Sequence, residues 1–189
     1  MFSIIGISLR AFLLFVAALV LALSVTLAKQ QVIGSVPPET GFGTFVGAAG
    51  FLASAFGMVA LWFDRIDGKI LMGLDTLVSL FYLAGAVSLT VAMKNVPSCT
   101  AKDDVSRYER LLNKIISGGC FHSEDTLVCP NAATDDNKDL TAGRCQMAQV
   151  VFVLEYTGFI FGLLMFCVGY LLYRRGRGGT PPATNRPYL

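Results

Sequence analysis

The sequence predicts an all-α membrane protein: a four-transmembrane-helix bundle with a disulfide-bearing exofacial loop between helices three and four. Three observations carry that reading. The chain of 189 residues is 54% apolar and only 15% charged. Its apolar residues fall into four runs of bilayer length. Four of its five cysteines lie in the one long polar segment that separates the third run from the fourth.

The runs come first. Ala11–Ala28 and Gly41–Phe63 carry no charge, Ile70–Met93 carries only Asp75, and Gln146–Tyr173 carries only Glu155. A helix rises about 1.5 Å per residue and the hydrocarbon core is about 30 Å thick, so roughly 20 residues cross it. Helix is the expected form because each backbone amide must find its partner within the segment. The first run extends back through Leu9 and is too long for the apolar core of a cleaved signal peptide, so it is expected to be retained. Residues 1–173 then form one membrane domain, with helices near 9–28, 41–63, 70–93 and 146–173, a loop over 94–145, and a disordered tail over 174–189.

Orientation follows from the basic residues. With the N-terminus in the cytosol, Arg10, Arg65, Lys69, Arg174, Arg175, Arg177 and Arg186 lie inside, and only Lys29 lies in the short outer connection. The positive-inside rule favours that arrangement, with both termini cytosolic. The net charge of +2 is too small to suggest nucleic acid as a partner.

The loop then faces an oxidising space, where an even set of cysteines reads as disulfides. Three pairings of Cys99, Cys120, Cys129 and Cys145 are possible. The nested one is favoured, Cys99 with Cys145 and Cys120 with Cys129, because Cys99 follows helix three and Cys145 precedes helix four. Within the loop, Val105, Tyr108, Leu111, Leu112 and Ile115 recur at helical spacing and predict an amphipathic helix over Lys102–Ser117. It is expected to cap the loop, with a place on the bilayer surface as the alternative. The polar stretch Asn131–Asp139 is expected to be mobile.

Acidic residues within a membrane are costly and are candidates for function. Asp75 and Glu155 are offset by about 18 Å along the bilayer normal at helical rise, so they are not expected to pair with each other. Asp75 is expected to reach the interface near Arg65 or Lys69, or to take a polar partner on a neighbouring helix. Glu155 is expected near the outer interface. Gly43 and Gly47, and Gly158 and Gly162, are candidates for close helix packing within the chain, with self-association as the alternative. Cys167 is a candidate for palmitoylation or a buried thiol. Arg174, Arg175 and Arg177 are candidates for contact with anionic lipid headgroups. No nucleotide loop, nucleophile–base pair or metal-ligand cluster is legible, so neither catalysis nor a cofactor is expected.

Two tetraspan patterns fail: the loop has no Cys-Cys-Gly motif, and the cysteines are not in the first loop. The chain resembles MARVEL-domain proteins, and among them the fungal non-classical export family. The residues that carry the resemblance are Leu74-Asp75, Phe81-Tyr82, Ala84-Gly85-Ala86, Val91-Ala92 and Ser98-Cys99, then the block from Gly143 to Gln149. The chain departs from that family in its longer loop, in Cys120 and Cys129, and in Glu155. The resemblance implies a non-enzymatic organiser of the plasma membrane. Such a protein gathers in sterol- and sphingolipid-linked domains, supports eisosome-like furrows, and transits in secretory vesicles. Its partners would be those lipids, other membrane proteins or further copies of itself. A small transporter or channel using Asp75 and Glu155, or an accessory subunit of a larger membrane complex, are the competing functions.

Overall fold

The computed structural model describes residues 2–60, 68–96, 98–123, 126–130, 132–133 and 139–177. Four helices are long and apolar enough to cross a membrane. They are α1 (Phe2–Lys29), α2 (Pro38–Ala60), α3 (Gly68–Met93) and α6 (Thr141–Arg177). Between α3 and α6 lie α4 (Asp104–Leu112), α5 (Lys114–Ser117) and the antiparallel strands β1 (Phe121–Ser123) and β2 (Thr126–Val128).

The spans form a ring. α1 packs on α2 and α6, and α3 packs on the same two, so α1 and α3 stand on a diagonal. Glycines set the approach of α1 to α2: a Cβ at Gly47 would meet the backbone nitrogen and Cα of Leu21 at 2.6 and 2.7 Å. Small residues at such a seam let dispersion act between backbones. Along α6, a Cβ at Gly158 would meet the Tyr82 ring at 2.9 Å, and one at Gly162 would collide with Ser79 Oγ. Gly43, Gly47, Gly158 and Gly162 therefore all lie against neighbouring helices of the same chain. Several threonine hydroxyls within the spans are satisfied locally. Thr26, Thr44, Thr76, Thr90 and Thr157 each donate to the carbonyl four residues back, which spares a lone polar group in lipid.

Several boundaries differ from the sequence expectation. α1 begins at Phe2 rather than near residue 9, which takes Arg10 inside the helix. α2 starts at Pro38, whose fixed φ suits a first helical turn. α6 starts at Thr141 and continues through Arg177, so Arg174, Arg175 and Arg177 sit on a helix and not in the tail. At 37 residues it is about 55 Å long, far more than a bilayer core requires. The rest of the expected tail, and most of the stretch 131–138, lie outside the described residues. Asp139 is tied down, bridging to Ala133.

The expected helix over Lys102–Ser117 is two helices. Asn113 breaks it: its Oδ1 accepts from the Ile115 amide at 3.0 Å and its Nδ2 donates to the Ala92 carbonyl at 2.8 Å. The side chain thus caps α5 and fastens the loop to the last turn of α3.

Candidate functional site

Three features of the bundle and its cap bear on function: a polar axis inside the ring, a two-disulfide cap, and an apolar groove on the outside.

The axis begins with Arg10 on α1, whose two terminal nitrogens donate to the Asp75 carboxylate on α3 at 3.3 and 3.0 Å. Of the partners expected for Asp75, a polar side chain on another helix is what is found, while Arg65 lies outside the described residues. The long guanidinium reaches across the diagonal over Gly57, where a Cβ would collide with it. Next along the axis is Tyr82, with its ring on Gly158 and its hydroxyl over Gly50. Beyond it is Glu155, which is completely buried among the helices, level with Ser24 and Gly43, each five residues from the cap-side end of its helix. A Cβ at Gly85 would meet its carboxylate at 2.7 Å, and one at Gly43 would lie 3.5 Å from its Oε1 and 3.0 Å from Ser24 Oγ. Both carboxylate oxygens of Glu155, and the hydroxyls of Tyr82 and Thr40, lack hydrogen-bond partners among the described residues.

Asp75 and Glu155 do not meet. Glu155 lies level with Gly85, ten residues above Asp75 on α3, or about 15 Å at helical rise. The cavity that touches Asp75, Ser79 and Tyr82 holds about 20 Å³, room for roughly one water.

The cap is held by covalent and ionic bonds. Cys99 is bonded to Cys145 and Cys120 to Cys129, with Cα atoms 5.3 and 4.3 Å apart. Two arginines organise the rest, and neither was singled out from sequence. Arg110 of α4 donates through Nε to Thr141 Oγ1, through Nη1 to the carbonyls of Ser98 and Ala101, and through Nη2 to Asp139. Arg144 of α6 donates to Gln30 Oε1 and to the carbonyls of Ile116 and Ser117. Gly118 and Gly119 permit this closeness. Both have positive φ, the Val32 amide donates to the Gly118 carbonyl, and a Cβ on Gly119 would collide with the Ile33 carbonyl. The cap therefore joins the α1–α2 connection to the long loop.

Two carboxylates of the cap are acidified. Burial alone would raise the Asp139 pKa, but hydrogen bonds from Thr141 and Arg110 outweigh it and hold the group below the usual 3.8. The Ser106 amide, donated to the Asp103 side chain at the start of α4, lowers Asp103 likewise.

On the outside, Ala49, Leu52, Ala53 and Phe56 of α2 and Leu74, Leu77, Val78 and Phe81 of α3 line a groove of about 320 Å³. Cys167 is exposed on α6, and the Arg174 guanidinium stands 5.9 Å from the Tyr170 ring centroid. Among the described residues no group of three His, Cys, Asp or Glu side chains could hold a metal ion.

A ring of four spanning helices with a disulfide-tied cap defines a multi-pass membrane protein of the tetraspan class. A family model described as the MARVEL membrane-associating domain matches residues 3–167, and the chain belongs to that family. No curated protein and no solved structure matches it.

Proposed function

We propose that the chain is a non-enzymatic organiser of lipid and protein microdomains in the plasma membrane, akin to the fungal non-classical export proteins. Its termini face the cytosol and its disulfide cap faces outward. The observation that supports this best is the groove between α2 and α3. It is lined by apolar side chains alone and lies between two membrane-spanning helices, where a rigid lipid could be held against small residues such as Ala49 and Ala53. A family described as membrane-associating fits the same role. Arg174, Arg175 and Arg177 would add contacts to anionic headgroups, and Cys167 would offer an acylation point. Assembly into furrows and passage through secretory vesicles would follow from gathering such lipids together.

A transporter reading draws on one observation, the unpartnered carboxylate of Glu155. The narrow space around Tyr82 and the tight pairing of Asp75 with Arg10 weigh against it.

Extraction into native nanodiscs, with the copurifying lipids identified by mass spectrometry, tests the proposal. Sterol or sphingolipid enriched over the source membrane, and reduced by Ala53→Leu in the groove, is expected. Unenriched lipid beside an ion flux in liposomes that Glu155→Gln abolishes would replace the organiser with the transporter.

A further inference from the structure

The amphipathic helix α4 sits the opposite way round from a cap helix in water. Its buried residues are Ser106 and Arg110, both polar. Of its apolar residues, Val105, Tyr108 and Leu112 are 69%, 56% and 57% exposed, and Leu111 is half-buried. The cause is Arg110: its four hydrogen bonds to Ser98, Ala101, Thr141 and Asp139 fix that side of the helix inward, and the spacing of the apolar residues turns them out.

The height of α4 is fixed as well. Asn113, next to Leu112, is bonded to Ala92 in the last turn of the spanning helix α3. On that part of α3, Val87 and Val91 face outward, 45% and 55% exposed, as a lipid-facing surface should. The outward face of α4 therefore begins where the lipid-facing surface of the bundle ends. Lys94 and Lys114 flank the junction, and both are exposed. Cations at that height, beside an apolar stripe, match the phosphate and glycerol layer of a leaflet.

We infer that α4 is seated in the headgroup layer of the leaflet on the cap's side, with Val105, Tyr108 and Leu112 turned into phospholipid. This extends the lipid contact of the protein from its spanning helices to its loop, and it holds whether the protein gathers particular lipids or not.

The test uses the full chain in phospholipid nanodiscs. Trp62 is the only tryptophan, so Trp62→Phe provides a silent background. Tyr108→Trp or Leu112→Trp is then compared with Lys102→Trp, a reference on an exposed polar position. The probes are phosphatidylcholine brominated near the upper acyl chain, and iodide in the buffer. Bromolipid should quench the residue-108 and residue-112 probes at least about two-fold more than the reference, and iodide should quench them less. Iodide quenching equal to the reference, without bromolipid quenching, would put the face in water and overturn the inference. Protection from both quenchers would mean that protein, such as a second copy, covers the face, and would overturn it equally. Peptide mapping of the two disulfides confirms the fold of each variant, and the two probe positions must agree.

Discussion

Arg10 and Asp75 are 65 residues apart in the chain and meet on the diagonal of the bundle, with their side chains 6% and 13% exposed. Removing one partner leaves a lone charge in a site built for two. Asp75→Asn is expected to destabilise the bundle by about 3–5 kcal/mol, the usual cost of breaking a buried pair. Replacing both, as Arg10→Met with Asp75→Leu, should recover much of that loss. Unfolding by SDS from bicelles measures it. Equal losses for the single and double variants would show that the pair is not a unit.

The glycines should not be equivalent. At Gly47 a methyl would meet the Leu21 backbone, which cannot step aside, so Gly47→Ala should cost about 1–3 kcal/mol by overpacking. At Gly43 the nearest atom is Ser24 Oγ at 3.0 Å, the end of a small side chain that can turn, and Gly43→Ala should be milder. The same unfolding assay ranks them; a reversed order would mean that α1 and α2 are not seated as described.

Acid should loosen the cap before it loosens the spans. Asp139 is held below its ordinary value, so its contribution is present above pH 3.8 and is lost as pH falls beneath it. Asp103 titrates in the same direction. Hydrogen exchange of α4 amides should rise as pH falls through that window, after correction for the intrinsic rate. Asp139→Asn should show raised exchange at neutral pH and a smaller acid response. A response unchanged by Asp139→Asn would shift the cause to Asp103.

Reduction should proceed in order. Cys99 and Cys145 are buried in the core, whereas Cys120 and Cys129 are only partly covered. A mild phosphine reductant should open the Cys120–Cys129 ring first and leave Cys99–Cys145 intact. Alkylation timed by mass spectrometry follows both, and simultaneous labelling would contradict the burial.

The spans were legible because lipid imposes length and apolarity at once, and few other sequences satisfy both. The ends were less so. Arg10 looked like a flanking charge, since a charge normally marks where a span stops; its partner 65 positions away is invisible to any local pattern. Glu155 falls toward the cap-side end of the bundle, but its complete burial among four helices cannot be read from its place in one span. Small residues facing it, Gly43 and Gly85, were the available sign that neighbouring helices make room for a carboxylate. In the loop the apolar periodicity was read correctly as helical but not its direction. Arg110, lodged in the pattern, was the cue that the polar side faces in. Asn113 was a second cue, since its amide can cap a new helix as well as end an old one.

The nested disulfides impose a sequence in time. Cys99 leaves the ribosome first, yet its partner arrives 46 residues later, at the threshold of the last span. Cys120 and Cys129 can close their ring of short separation while that span is still being made. Cys99 therefore has two nearer thiols on offer before its native partner exists, and any bond made to them has to be exchanged. The native bond cannot form before residue 145 is made, so a chain stalled earlier lacks the link that ties α3 to α6.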